Sequence, residues 1–317
     1  MDNLFNTMNE ISPMPLVSVT VITYNSGEYI LDTLESIKTQ TYKKIELIIS
    51  DDCSSDNTIK VCKDWVQLNR DRFEDTKIIT SNVNTGIPGN KNRSIISCKG
   101  EWIKSIAGDD ILHEECVEKN LKFALKNNYN AIFSKTQVFN ENFDRSNFLF
   151  IRPGEIDRKF YSTIIESDEQ YKIMLNFNPI AAPTVFIKKN VLIDLGLFNL
   201  KYRFVEDYPM YLKVVKQGFK FAFLPEVTVY YRVHSRALSN SKVNLNFLES
   251  TNKFLLADVF PNCNIIRKIS ILWNYIIYRL LVILKTKYKI SRVLFTIKNR
   301  FDPNYFNLFV MRNKKLI

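Results

Sequence analysis

The sequence predicts an α/β fold in which a mostly parallel β-sheet carries helices on both faces. Short β-branched segments alternate with amphipathic helical segments through the first half of the chain, and parallel strands require such helical crossovers. Of the 317 residues, 46% are hydrophobic and only 8 are glycine, so the chain can bury a large core and has few flexible linkers.

The alternation is regular between residues 16 and 126. Apolar, β-branched runs predict buried strands at 16–23, 45–50, 77–80 and 101–107. Helix-spaced apolar residues predict helices near 30–37, 55–68, 89–97 and 113–126. This order predicts a Rossmann-like sheet, whose ligands bind beyond the carboxyl ends of the strands.

The second half is less regular, and its pattern assigns no element to residues 135–178. A short strand is predicted at 183–187, followed by helices at 189–195 and 206–217. The segment FAFLPEVTVYYRVH (221–234) predicts two strands that are broken at Pro225, because proline cannot donate to a strand ladder.

Composition divides the chain into three regions. Residues 1–14 are predicted to be a disordered lead, and their acidic character and lack of an apolar run do not indicate a signal peptide. Residues 15–240 form the α/β domain, and 241–317 form a helical, basic and aromatic extension. Five scattered cysteines without a C-x-x-C pair indicate reduced thiols in the cytoplasm.

The net charge of +11 belongs to the C-terminal extension. Twelve of the 44 Lys and Arg residues follow Pro261, together with one acid, Asp302, so the charges upstream balance. Such a tail suits an anionic surface, either phospholipid or nucleic acid. The apolar stretch 269–284 is short for a membrane span and is interrupted by Arg279. It predicts a helix that lies in the lipid interface or packs on the domain.

Polar residues follow three of the predicted strands at the edge where ligands bind. They are Asn25, the pair Asp51-Asp52, and the pair Asp109-Asp110. Adjacent carboxylates suit Mg²⁺ or Mn²⁺, although each pair is also typical of a solvated turn or a helix cap. Glu206-Asp207 begins a helix, where carboxylates either complement the helix dipole or include a general base.

Five segments together resemble the family 2 glycosyltransferases of the GT-A fold, over about residues 16–239. They are VSVTVITYNSGEYILDTLESIKTQTYKKIELIISDDCSSDNT, NTGIPGNKNRSI, KGEWIKSIAGDDIL, FVEDYPMYLKVVKQGF and YYRVHSRALS. The resemblance implies a nucleotide-binding half (15–112) and an acceptor half (113–240).

The resemblance also implies roles for individual residues. The nucleotide-sugar pocket would comprise Thr23, Tyr24, Asn25, Glu28, Asp51, Asp52, Asn84, Gly86, Lys91, Asn92 and Asp109. Mn²⁺ or Mg²⁺ would be bound by Asp109, Asp110 and His234, with Ala107 standing where the family's D-x-D motif has its first Asp. Asp207 would be the catalytic base, and Glu206 would orient the acceptor.

The function that this resemblance implies is an inverting, metal-dependent transfer of one sugar from a nucleotide sugar, UDP-linked, to an acceptor hydroxyl. The acceptor would be a lipid-linked glycan intermediate of O-antigen or capsule synthesis, and the basic tail would hold the enzyme on the inner face of the cell membrane. Two alternatives are a sugar nucleotidyltransferase, for which no Gly-rich phosphate loop follows the first strand, and a non-catalytic protein that binds membranes or nucleic acid. The charge-balanced α/β domain contains no nucleic-acid recognition motif, so we expect no nucleic-acid partner.

Overall fold

The computed structural model describes residues 14–153, 160–162, 165–235 and 245–284. The predicted disordered lead therefore lies almost entirely outside the described residues, as does the extension beyond residue 284.

Nine strands form one mixed sheet, in the order β3-β2-β1-β4-β8-β6-β9-β5, with β7 paired to β6. The strands are β1 Val17–Thr23, β2 Ile45–Asp51, β3 Asp75–Thr80, β4 Trp102–Ala107, β5 Ile111–Leu112, β6 Ala131–Asn140, β7 Phe148–Arg152, β8 Phe186–Lys188 and β9 Phe221–Val233. Strands β1 to β4 are mutually parallel, as predicted, and β8 pairs antiparallel with β4.

Helices cover both faces of this sheet, and the prediction of an α/β fold is confirmed. The helices are α1 Ile30–Lys38, α2 Thr58–Asn69, α3 Gly86–Ser97, α4 Cys116–Asn127, α5 Ser167–Met174, α6 Lys189–Asp194, α7 Asp207–Lys216, α8 Leu245–Phe254 and α9 Ile265–Leu284. Helices α1, α2 and α4 pack over one core, and α3, α5, α6 and α7 pack over the other. Within β2, Leu47 and Ile49 enter the first core and Ile48 the second, which explains the continuous apolar run.

The C-terminal region begins as part of the second core. Phe254, Leu255, Val259 and Ile271 are buried in it, and the Phe254 ring lies 4.9 Å from the ring of Tyr208 on α7. The Tyr202 hydroxyl also donates to Asp258 at 2.6 Å. Through residue 284, no described helix is both long and apolar enough to cross a bilayer.

Three boundaries differ from the prediction. Strand β9 is continuous: Leu224 pairs with Ser134 and Val227 with Lys135, so a bulge accommodates Pro225 where a break is predicted. Strand β8 spans only Phe186–Lys188, because a 3₁₀ turn occupies Ala182–Thr184. Helix α3 begins at Gly86, three residues early, since Pro88 is tolerated in a first helical turn.

Candidate active site

The carboxyl ends of β1 and β2 meet through the side chains of Thr23 and Asp51. The Thr23 hydroxyl donates to Asp51 Oδ1 at 2.8 Å, and the backbone N–H of Ser54 donates to Asp51 Oδ2 at 2.8 Å. Both side chains are buried. In this structure these two side chains therefore connect the two strand ends and form the buried base of this edge of the sheet.

Asp52 connects β2 to the first turn of α3. Its Oδ1 accepts hydrogen bonds from the backbone and hydroxyl of Thr85 and from Arg93 at 2.8 Å, and its Oδ2 accepts from the Gly86 N–H at 2.7 Å. Burial alone would raise the pKa of Asp52, but these donors outweigh it and lower the pKa, with Thr85 and Arg93 the strongest. Asp52 is therefore an anion with fixed orientation.

The loop between β1 and α1 presents exposed side chains above these carboxylates. Tyr24, Asn25 and Glu28 are all exposed. The Asn25 backbone has a φ of 52°, and its side-chain Oδ1 accepts from the Ser55 N–H at 2.8 Å. The predicted pocket residues of this loop are thus exposed at the strand edge, and their contact with a nucleotide stays a prediction.

Helix α3 is joined to the chain segment between α6 and α7. The Asn92 amide exchanges two hydrogen bonds with the Phe198 backbone, at 2.8 and 2.9 Å. Lys91 Nζ lies 2.7 Å from Glu206 Oε1 and 5.0 Å from the centre of the Phe198 ring. The structure thus directs Lys91 and Asn92 toward the acceptor half, and their nucleotide contact stays a prediction.

Asn84 lies at the same junction. Its side-chain Oδ1 and its backbone carbonyl accept from Arg203 Nη2, at 2.6 and 2.8 Å. Gly86 beside it has a φ of +80°, and a Cβ there would meet Arg203 Cγ at 2.5 Å. Asn84 and Gly86 are therefore held close to the acceptor half by one exposed arginine.

The predicted metal ligands separate into two environments. Asp109 Oδ2 and His234 Nε2 lie 3.0 Å apart, so these two side chains meet as predicted. Asp110 is buried, and its Oδ1 accepts from the Arg232 backbone N–H at 2.9 Å. Burial and the neighbouring Asp109 raise the pKa of Asp110 well above its ordinary value.

A three-residue metal site is therefore not formed. Asp110 faces the protein interior, and among the residues that the structure describes no three His, Cys, Asp or Glu side chains group as metal ligands. Asp109 and His234 remain as two ligands, which suits the way Mg²⁺ binds one or two carboxylates and completes its shell with phosphate oxygens and water.

Arg232 organises this end of the sheet. Its guanidinium donates to the Asp109 carbonyl at 2.9 Å and to Asp32 Oδ2 at 2.6 Å, and it lies 4.6 Å from the Tyr29 ring and 4.3 Å from the Phe143 ring. The Tyr29 ring also lies 4.6 Å from the His234 ring. The buried guanidinium of Arg232 thus fixes the backbone of Asp109 and packs on the Tyr29 ring, which in turn contacts the His234 ring.

Asp207 is the first residue of α7 and is partly buried. Burial raises its pKa, the adjacent Glu206 raises it further, Lys91 opposes both effects, and the resulting pKa is about 6. Asn178 Nδ2 lies 3.5 Å from Asp207 Oδ2. A carboxyl group with a pKa near neutral pH is suited to accept a proton during a reaction.

Sequence reasoning missed three arginines at this site. Arg232 had a signal, since it lies only two positions before the predicted ligand His234, which directly follows the last residue of β9. Arg93 and Arg203 had none, because their partners Asp52 and Asn84 lie 41 and 119 residues away in the chain.

Comparison with known proteins places these features in a family. The model of glycosyl transferase family 2 matches residues 18–193. The *Escherichia coli* UDP-Glc:alpha-D-GlcNAc-diphosphoundecaprenol beta-1,3-glucosyltransferase WfaP is 29% identical over 233 residues, which cover 72% of this chain and 82% of that protein. The *Bacillus subtilis* putative teichuronic acid biosynthesis glycosyltransferase TuaG is 26% identical over 230 residues, 72% of this chain and 83% of that protein.

The fold also matches solved structures. The crystal structure of *Staphylococcus aureus* TarS 1-349 in complex with UDP-GlcNAc superposes with a TM-score of 0.60 and 18% identity, covering 91% of this chain and 82% of that one. The chain spans 43% of the longer TarS structure. Because the family model covers more than half of the chain and the sheet has the predicted GT-A arrangement, the chain belongs to glycosyl transferase family 2 and is a glycosyltransferase of the GT-A fold.

Proposed function

We propose that this glycosyltransferase moves one sugar from a UDP-sugar to a hydroxyl of a lipid-linked glycan, with inversion at the anomeric carbon. The activity for which WfaP is named, transfer from UDP-Glc to a diphosphoundecaprenol-linked GlcNAc, supports this donor and acceptor class. The TarS complexes with UDP-GlcNAc and UDP are consistent with the donor. Family membership decides against a sugar nucleotidyltransferase and against a non-catalytic binding protein.

The observation that carries the mechanism is the place of Asp207 at the start of α7, beside Glu206 and 3.5 Å from Asn178 Nδ2, where its pKa is raised to about 6. Inversion by direct displacement requires a base that removes the acceptor proton as the hydroxyl oxygen attacks the anomeric carbon. A carboxylate with this pKa is largely ionised at neutral pH, yet it is a stronger base than an ordinary aspartate. Asp207 is the base in this proposal.

Glu206 and Lys91 position that base. The Lys91–Glu206 pair is mostly buried, with 2.7 Å between Nζ and Oε1, and it lies at the residue that precedes α7. A buried ion pair has one preferred geometry, so it fixes the first turn of the helix and the direction of the Asp207 carboxylate. Glu206 in addition offers its second oxygen toward the acceptor in this proposal.

The donor would occupy the edge formed by β1, β2 and β4. In the described part of the chain, Asp52 Oδ2 accepts a hydrogen bond from Gly86, and a carboxylate oxygen can accept two. The free position suits the N–H of a uracil ring. Tyr24, Asn25 and Glu28 would line the opening, with Thr23 and Asp51 beneath them and Asn84 and Gly86 beside Asp52.

A divalent cation, Mn²⁺ or Mg²⁺, would be held by Asp109 and His234, which lie 3.0 Å apart. When bound, it would neutralise charge on the leaving diphosphate. Asp110, the predicted third ligand, accepts a hydrogen bond from the Arg232 backbone N–H in this structure, and in this proposal it supports that backbone. The protein's contribution here is to hold Asp109 in place through Arg232.

The site of action in this proposal is the cytoplasmic face of the cell membrane, during synthesis of a bacterial surface polysaccharide. A lipid-linked acceptor lies in the bilayer, and a nucleotide-sugar donor is cytoplasmic, so the enzyme must work at their boundary. The names of WfaP and TuaG support this setting.

The test measures UDP release from a panel of UDP-sugars, with a diphosphate-lipid-linked GlcNAc as acceptor and Mn²⁺ present. We expect Asp207→Asn to lower kcat about 10²- to 10⁴-fold, the usual contribution of a general base, and to keep the rise in Tm that UDP causes. Asp52→Ala should abolish that rise. The matched control is Asp64→Asn on exposed α2, which should behave as wild type. A fully active Asp207→Asn enzyme would refute the assignment, and a UDP-dependent Tm rise that is unchanged by EDTA would refute the cation.

A further inference from the structure

Helix α9 buries a face of mixed polarity and exposes most of its large apolar side chains; Ile271 and Ile277 are buried on the inward face. Arg267 and Asn274, 3% and 1% exposed, face the protein. The large apolar side chains on the outer side are exposed, namely Ile265, Ile266, Ile269, Leu272, Trp273, Ile276, Leu280, Val282 and Ile283. Packing on a core alone predicts a polar, charged outer face, and the outer face of α9 is instead mostly apolar.

The outward residues form one apolar surface, and the exposed Arg279 lies on the same side of the helix between Ile276 and Ile283. At about 100° per residue, Ile265, Ile269, Leu272, Ile276 and Ile283 fall on the same side of the helix. We call these five residues the α9 stripe. It is about 27 Å long, at 1.5 Å of rise per residue. A contiguous apolar surface of this kind marks an interaction site.

Packing of α9 against the domain does not by itself explain which residues lie on its inward face. Neither Nη atom of Arg267 nor the Asn274 amide has a hydrogen-bond partner among the described residues, although all are buried. Buried polar groups without partners destabilise a fold. Ile271 and Ile277 already cover the domain from the inward face, and the five isoleucine and leucine side chains of the stripe are exposed in addition, so the stripe serves a partner outside the domain.

Charge identifies that partner. Lys268 and Arg279 are on α9 itself, and Lys285, Lys287, Lys289 and Arg292 follow it within eight residues. A second copy docking through the same stripe would bring these like charges together. An anionic phospholipid surface neutralises them, and basic residues beside an apolar helix face are the combination that binds such a surface.

We propose that α9 lies in the interface of an anionic membrane, with the α9 stripe directed into the acyl-chain boundary. This inference rests on the proposed function for the choice of the cytoplasmic leaflet. The Phe254–Tyr208 ring contact of 4.9 Å links this C-terminal region to α7, beside the proposed base Asp207. Membrane binding through α9 would therefore hold the acceptor half near its lipid-linked substrate.

The experiment is flotation of the full chain with two kinds of vesicle. One contains phosphatidylcholine alone, and the other contains phosphatidylcholine with 30 mol% phosphatidylglycerol, so that about a third of its lipid is anionic. The test variant is Ile269→Asp/Ile276→Asp, at positions 62% and 50% exposed, and the control is Leu68→Asp on α2, 83% exposed. We expect the wild type and the control to float with the anionic vesicles, and the double variant to bind them about 100-fold more weakly or worse. Its Tm and its UDP release should equal those of the wild type.

Trp273 supplies a second readout, because it is exposed whereas Trp65 and Trp102 are buried. Anionic vesicles should shift the wild-type emission to shorter wavelength, and Trp273→Phe should remove the shift. The proposal is overturned if the wild type does not float, if the double variant floats equally well, or if light scattering shows a dimer that the double variant dissociates. A large fall in Tm of the double variant would also overturn it, since the stripe would then be packed within the protein and not directed at a membrane. If the wild type floats with anionic vesicles but releases no UDP, the enzymatic proposal fails and the membrane proposal stands.

Discussion

At Asp207 the fold destabilises an ionised side chain. The folded-state pKa is about 6, against an ordinary value of 3.8, so the folded protein retains this proton to a higher pH than the unfolded chain does. Stability is therefore lost as the pH rises from about 4 through 6, and the loss is complete above that range.

We expect Asp207→Asn to make the protein more stable at pH 8 while it removes activity. The gain should be about 2–3 kcal/mol at pH 8, from about 1.4 kcal/mol for each pH unit of pKa difference, and should vanish toward pH 4. Urea unfolding at both pH values measures it. An equal effect at pH 4 and pH 8 would show that the substitution acts through packing and not through ionisation.

Lys91 tunes the same carboxylate. Its positive charge lowers the pKa of Asp207, so Lys91→Met should raise that pKa and move the acidic limb of the kcat/KM profile to higher pH. The variant should be impaired at pH 6.5 and recover part of its activity at pH 8.5. Lys91→Arg keeps the charge beside Glu206 and should leave the limb near pH 6. A limb that is unmoved in Lys91→Met would assign Lys91 to the nucleotide instead.

At the scale of elements, the strands and helices with a clean period were predictable. Val17–Thr23 and Ile45–Asp51 are buried on both faces of the sheet, so their continuous apolar runs could be recognised directly. The polar residues that end them had to meet at one edge because the strands are parallel. The position of Asp51, Asp52 and Asp109 at that edge could therefore be predicted from the pattern alone, whereas their roles in binding stay predictions.

Other elements depended on contacts that the sequence does not display. Strand β6 lies between β8 and β9, with β7 also paired to it, and its register comes from neighbours distant in the chain. Strand β9 continues past Pro225 because this residue lies in a bulge, where no backbone N–H is required for strand pairing. The inward turn of Asp110 depends on the Arg232 backbone, 122 residues away, so no local pattern separated it from Asp109.

The first turn of α3 is an element whose geometry depends on one glycine. Gly86 has a φ of +80°, donates to Asp52, and leaves no room for a Cβ beside Arg203. Gly218 is its matched control, since it has a φ of +86° but nothing within 4 Å.

We expect Gly218→Ala to cost about 1 kcal/mol from backbone strain alone and to leave UDP affinity unchanged. Gly86→Ala should cost more and should weaken UDP binding, because displacing Arg203 and the turn also moves the donors that hold Asp52. Calorimetric titration with UDP and urea unfolding compare the two variants. If the two variants lose the same stability and bind UDP equally well, Asp52 does not contribute to nucleotide binding.

At the scale of the whole molecule, the catalytic domain and the start of the C-terminal extension share one core. The sequence predicted a boundary near residue 240 from a change in composition. Phe254 is nevertheless fully buried against Tyr202 and Tyr208, with ring centres at 5.6 and 4.9 Å. Composition records charge and hydropathy, whereas this packing depends on a few aromatic side chains, so the predicted boundary does not separate two cores.

This shared core predicts that the domain and helices α8 and α9 unfold together. Phe254→Ala should destabilise the whole protein by about 3–5 kcal/mol, the usual cost of deleting a buried phenyl ring, and should lower kcat because Tyr208 lies next to Asp207. Phe247→Ala, at an exposed position of the same helix, should cost less than about 1 kcal/mol. Urea unfolding followed by both tyrosine and tryptophan signals should give one coincident transition in each protein. Two separate transitions in the wild type, with Phe254→Ala shifting only one of them, would instead make the extension an independent unit.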